Sequence, residues 1–275
     1  MSPEGFKHYL NSHFESTSGA VNSYMMAISI LDNIFRFRDV FGLNGVSLCC
    51  IDNIDILVRI TEFVKIEERK FRDTEEGIFK LGNPNQKSYP TKGFCSAAMK
   101  NLIGYYESCK HESAHLILQS SRSATSLSKK LIKLYGLNDS YGEDTVRETK
   151  ARIGQDYFRS MLLENYNSKC AVTGLDVPQV LRASHIVAWA DDKANRMNPE
   201  NGILLSATYD AAFDQHLISF DEDYRMIVSK EIKEYYTNEV TREYFENFEG
   251  KQIILPVKFM PNQKLLARHR ELLVG

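Results

Sequence analysis

CAVTG (residues 170–174), RASHIVAW (182–189) and NGILLSATYDAAFD (201–214) decide how this chain is read. His185 closes a short apolar run with the look of a strand, and Asn201-Gly202 opens the next run. Asp210 and Asp214 follow at an i, i+4 spacing, which on a helix places both carboxylates on one face. Strand, loop, strand and helix, with a polar residue at each junction, gather a base and oxygen ligands into one cleft.

The flanking segments fit around that core. ARIGQDYFRSMLLENYNSK, from Ala151, predicts a helix with Ile153, Tyr157 or Phe158, Met161 and Leu162 on one side. CAVTG, VPQVLRASHIVAW and GILLS predict short β-like pieces, and ATYDAAFDQH a brief helix. HLISFDEDYRMIVS predicts a hairpin around Asp221–Asp223. PNQKLLARHRELL predicts a final helix in a tail that carries Lys251, Lys258, Lys264, Arg268 and Arg270 against Glu271 alone.

The N-terminal part predicts helices. Val21, Tyr24, Met25, Ile28 and Leu31 recur at three- and four-residue steps after Ser and Thr caps. Ile54, Ile56, Leu57, Ile60 and Val64 repeat the pattern, FCSAAMKNLIGYYESCK predicts a further helix, and residues 82–93, dense in Gly, Pro, Asn and Ser, predict a loop. QSSRSATSLSKKLIKLYG combines a Ser-rich front with Lys129, Lys130 and Lys133, either a solvated helix face or a phosphate contact. The reading is α+β: a helical domain over 1–120, a basic linker or helix over 121–149 and a second domain over 150–275.

Composition sets the class. A 275-residue chain with 43% hydrophobic and 25% charged residues buries a sizeable core, and a net charge of −2 leaves room for a basic face. No apolar run approaches the roughly 20 residues that span a bilayer, and the first residues lack a signal-peptide core. Five cysteines without a C-x-x-C pair point to reduced thiols and a cytoplasmic protein. HESAH at 111–115 fits H-E-x-x-H, but nothing downstream supplies a third zinc ligand, so a metalloprotease is rejected.

Residues 150–275 resemble the HNH nuclease family, in particular its restriction-type branch. The likeness runs through R-x-G-Q-x-x-F-R (152–159), Tyr166, C-A-V-T-G, L-R-A-S-H-I (181–186), Trp189, N-P-x-N-G-I-L-L (198–205), Y-D-x-x-F-D (209–214) and L-L-x-x-H-R (265–270). The resemblance implies a ββα-metal fold that hydrolyses DNA phosphodiesters, with His185 as general base and Asn201 bracing the loop between the strands. It implies a divalent cation, Mg²⁺ or Mn²⁺, held by Asp210, with Asp214 as a second ligand and Ser184 where many relatives have an Asp. Arg182, Arg268, His269 and Arg270 are the expected phosphate contacts.

Where some relatives hold a structural zinc on four cysteines, this chain has Cys170, Thr173, Ser206 and Tyr209, so no structural zinc is expected. The implied partner is double-stranded DNA, with no membrane and with a homodimer to cut both strands. The implied setting is a restriction or anti-phage system. Two alternatives stand beside it: a signal- or partner-activated unspecific DNase, and a non-catalytic DNA-binding relative.

Overall fold

The computed structural model describes residues 1–15, 18–81, 86–137 and 144–274. It divides into two compact units, Met1–Ser113 with Asp139–Ala151, and Ala114–Asn138 with Arg152–Gly275. In chain order the first unit begins with α1 (Pro3–His13), α2 (Ala20–Phe37), α3 (Ile54–Thr74) and a short α4 (Ser88–Thr91). The division falls inside α5 (Phe94–Ser120), at Ser113. Helix α6 (Ala124–Tyr135) groups with the second unit, and the division falls again inside α7 (Asp144–Asn165), at Ala151. Of the segment 121–149, expected as a basic linker or helix, the described residues hold α6 and the start of α7, and residues 138–143 lie outside the described residues.

Among its described residues the first unit contains helices and no strand. Ile28 and Leu31 of α2 and Leu57, Ile60 and Val64 of α3 fill its core at the spacings the sequence predicts, joined by Phe6 and Leu10 of α1 and Ile34 of α2, while the expected Tyr24, Met25 and Ile56 are half-buried. Asn53 caps α3 by accepting from the N–H groups of Asp55 and Ile56. Buried Glu68 accepts from the Cys95 and Ser96 N–H groups at the start of α5. Lys150 pairs with Asp55 at 2.7 Å. Two expectations are corrected. The N-cap of α2 is Gly19, at φ 64°, with Ser18 Oγ accepting from the Ala20 N–H, while Ser16 and Thr17 lie outside the described residues. The expected loop 82–93 contains α4, and its residues 82–85 lie outside the description.

The second unit holds the α+β part. After α7 come β1 (Leu181–His185), β2 (Gly202–Ser206), α8 (Ala207–Asp214), β3 (Ile218–Phe220) and β4 (Met226–Val228). Short α9 (Lys230–Lys233), α10 (Glu239–Thr241) and terminal α11 (Gln263–Arg270) complete the order. β1 and β2 pair antiparallel with Leu181 opposite Ser206 and His185 opposite Gly202, and β3 pairs with β4 as the expected hairpin. CAVTG is a tight turn rather than a strand, closed by the Gly174 N–H on the Cys170 carbonyl at 2.9 Å. Its Ala171 N–H donates to the Leu204 carbonyl, and the Ile254 N–H donates to that of Ala171. Among the described residues no helix is long and apolar enough to cross a membrane.

Gly202 decides how closely β2 approaches α7. A Cβ there would lie 2.6 Å from Phe158 Cζ and 2.6 Å from Leu162 Cδ1, inside van der Waals contact. Gly202→Ala therefore forces the core of α7 aside. We expect a loss of about 1–3 kcal/mol in denaturant unfolding, by overpacking, and a displaced Phe158. An unchanged unfolding midpoint would contradict this close approach.

Candidate active site

His185 ends β1 with its ring seated against α7. Phe158 stacks on it with centroids 3.9 Å apart and planes 15° from parallel, and Trp189 meets it edge-on at 5.6 Å. The R-x-G-Q-x-x-F-R segment builds this seat. Phe158 is its floor. Gly154 leaves room for Trp189, since a Cβ there would lie 3.0 Å from the indole. Arg159 donates to the carbonyls of Leu181 and Pro178, fixing the entry to β1. The segment was legible as a likeness, but nothing in the sequence alone said that it supports the histidine.

The ring's protonation follows from its partners. His185 Nε2 lies 3.1 Å from the Arg196 carbonyl, which can only accept, so Nε2 carries the hydrogen and Nδ1 keeps the basic lone pair. Burial lowers the pKa of His185 from its ordinary value, partly offset by that carbonyl, so the ring is neutral at pH 7.

Asn201 braces the loop between the strands. It is fully buried, its Oδ1 accepts from the Val187 N–H at 2.9 Å, and its Nδ2 donates to the carbonyls of Val187 at 3.0 Å and Asn195 at 3.2 Å. Other residues extend the brace. Asn198 Nδ2 donates to Asn195 Oδ1, Asn195 Nδ2 donates to Asp192 Oδ2, and Arg196 Nε donates to the Trp189 carbonyl. From α6, Ser128 Oγ donates to the Ala194 carbonyl. These contacts hold the Arg196 carbonyl under the His185 ring.

The acidic side comes from α8. Ser184 Oγ donates to Asp210 Oδ1 at 2.5 Å, tying the residue before the histidine to the first carboxylate. The pKa of Asp214 is raised, first by burial and then by the negative charge of Asp210, with His216 opposing. Ser184, His185, Asp210 and Asp214 all line one cavity of about 790 Å³, with Arg182 and Arg268 in its wall as well. Among the described residues no three His, Cys, Asp or Glu side chains form a ready ligand cage. Two carboxylates beside a hydroxyl nevertheless suit a hard cation that keeps several waters, as Mg²⁺ does.

Two of the expected phosphate contacts are corrected. His269 is only 3% exposed: it stacks on Phe213 at 3.8 Å, and its Nε2 lies 3.0 Å from the Phe213 carbonyl. Arg270 donates to the Phe220 carbonyl at 2.8 Å and to Glu222 at 2.5 Å, which locks α11 to the end of β3. A basic tripeptide reads as a phosphate clamp in sequence, but helical geometry turns its middle residue into the core. Arg182 and Arg268 are exposed.

At the four positions compared with a zinc site, Cys170 Sγ accepts from the Ser206 N–H at 3.2 Å, and the Tyr209 hydroxyl donates to the Tyr244 carbonyl. The Tyr209 ring packs edge-on against Phe245 and Phe248. Of the HESAH residues, His115 lies near Gln119 at 2.7 Å and Glu164 at 3.5 Å.

The strand–loop–strand–helix around His185 has a counterpart among known proteins. Residues 170–221 match the HNH endonuclease family. No curated protein matches the chain. The matched segment covers the CAVTG turn, β1, the braced loop, β2, α8 and β3, and it supports an HNH endonuclease segment in this part of the chain. Phe158 and Arg159 lie before the match and His269 after it, so the HNH segment is supported from outside its own limits.

Two outcomes follow. Asn201→Ala leaves the Val187 N–H and carbonyl buried and unpaired, costing about 1–3 kcal/mol per group in thermal or denaturant unfolding; a neutral change would mean that the loop is not held there. Burial also pushes the pKa of His269 down to about 4. A histidine with a lowered folded pKa contributes stability that is complete above its unfolded value of about 6.5 and is lost as pH falls toward 4. Unfolding free energy should drop by up to about 3 kcal/mol across that window, and His269→Gln should flatten the slope.

Proposed function

We propose that this protein is a metal-dependent DNA endonuclease that hydrolyses phosphodiester bonds through His185. The observation that carries the reading is that the neutral imidazole of His185, with Nε2 fixed on the Arg196 carbonyl, shares one cavity with the Ser184–Asp210–Asp214 oxygen group.

In this reading His185 Nδ1 accepts a proton from the attacking water, and Phe158 and Trp189 hold the ring in line. Asn201 keeps the loop carbonyl under Nε2, so the tautomer does not change during the reaction. Asp210 and Asp214 would hold the Mg²⁺ or Mn²⁺, with Ser184 orienting Asp210. A bound cation there supplies Lewis-acid neutralisation of the charge on the phosphate and the leaving oxygen. Arg182 and Arg268 meet the phosphates on either side.

We place the activity in a restriction or anti-phage system of the cytoplasm, with the helical first unit recognising DNA or a partner and two copies cutting the two strands of a duplex. The competing reading, an unspecific DNase switched on by a signal, differs in its products: discrete fragments of a plasmid support site recognition, and a smear supports the effector. A non-catalytic DNA-binding relative would cut nothing.

His185→Ala should lower cleavage of a plasmid in Mg²⁺ by at least about 100-fold while leaving DNA binding in place, since general-base catalysis contributes about 10²–10⁴. Asp210→Asn should abolish the response to added Mg²⁺. A His185→Ala protein that cuts at the normal rate would remove the base assignment.

A further inference from the structure

His216 follows α8 and has no place in the residue pattern that marks the site. It adopts a left-handed backbone with φ 54°, which turns the chain sharply back toward β3. It lines the same cavity as His185, Asp210 and Asp214. Behind it lies a buried relay. Ser219 Oγ, fully buried in β3, is 3.0 Å from His269 Nδ1, and His269 Nε2 is 3.0 Å from the Phe213 carbonyl and 3.2 Å from His216 Nδ1.

The proton positions follow from what each atom can do. The Phe213 carbonyl only accepts, so His269 Nε2 carries a hydrogen. Burial keeps His269 neutral at pH 7, which leaves a lone pair on Nδ1 to accept from the Ser219 hydroxyl. A hydrogen on His216 Nδ1 would point at the hydrogen of His269 Nε2, so His216 Nδ1 keeps its lone pair and Nε2 carries the hydrogen. The relay therefore fixes His216 as an N–H donor through Nε2, with no lone pair left for a metal ion on that nitrogen.

We propose that His216 is a further catalytic residue, donating through Nε2–H to an oxygen of the phosphodiester being cut, with Ser219 and His269 as the positioning residues that fix its tautomer. This rests on the nuclease reading above. The donor stands beside Asp214, where an anion held by a cation would come to rest, and a neutral donor adds stabilisation there without competing for the cation. It also gives the buried His269 a task, which a packing role alone leaves to any ring of that shape.

The test uses the full chain with a labelled DNA duplex and Mn²⁺. His216→Ala should lower the rate at saturating DNA and Mn²⁺ by about 100-fold, the scale for removing one preorganised donor. Mn²⁺ affinity of the DNA-free protein, read by electron paramagnetic resonance, should stay within about twofold of the unaltered protein. His216→Gln, whose amide also donates, should recover part of the rate. If His216→Ala does not fold, His216→Asn carries the same test, because Asn tolerates the left-handed backbone and its amide reaches less far.

An unaltered rate overturns the proposal, and a clear loss of Mn²⁺ affinity overturns it by making His216 a metal ligand. Protein that cuts before substitution and equally after it removes His216 alone, whereas protein that never cuts DNA with any divalent ion removes the nuclease reading as well.

Discussion

The stacking of His185 on Phe158 is the contact on which the rest of the site depends. A histidine at the end of an exposed strand would rotate freely and titrate near its ordinary value. Here one face is covered by an aromatic ring, one edge by Trp189, and Nε2 is spent on a carbonyl. Each contact removes a degree of freedom; burial lowers the pKa against the opposing pull of the Arg196 carbonyl, and that carbonyl leaves a single basic nitrogen. The close approach that makes the stack requires Gly202 opposite the histidine, because any side chain there would displace Phe158.

The second constraint is electrostatic. Asp210 and Asp214 share a helix face; burial and then the charge of Asp210 raise the pKa of Asp214, and the Ser184 hydroxyl donates to Asp210. Such a pair is a poor structural choice and a good place for a cation. The two halves of the site come from adjacent pieces of chain, so β1, β2 and α8 assemble the chemistry locally, while α7 and α11 hold it from outside. That division explains why the supporting residues lie beyond the 52 residues that match the HNH family.

Much of this was readable in the sequence, for identifiable reasons. His185, Asn201, Asp210 and Asp214 sit in elements whose length and period are plain, so their grouping followed from strand–loop–strand–helix order. The CAVTG segment misled because β-rich composition does not distinguish a strand from a turn closed by a glycine at positive φ. His269 and Arg270 misled because charge was legible and helical phase against β3 was not. Ser219, His216 and Phe158 were out of reach: their roles exist only through contacts that span from 27 to 53 positions of chain.

The central claim is that the His185 ring and the carboxylates of α8 face one ion. The most direct measurement is Mn²⁺ titration of the protein followed by imidazole proton resonances of its seven histidines. Bound at Asp210 and Asp214, the ion should broaden the His185 ring signals at substoichiometric Mn²⁺, and Asp210→Asn should abolish the effect. Broadening that spares His185 while Mn²⁺ is demonstrably bound would contradict the account.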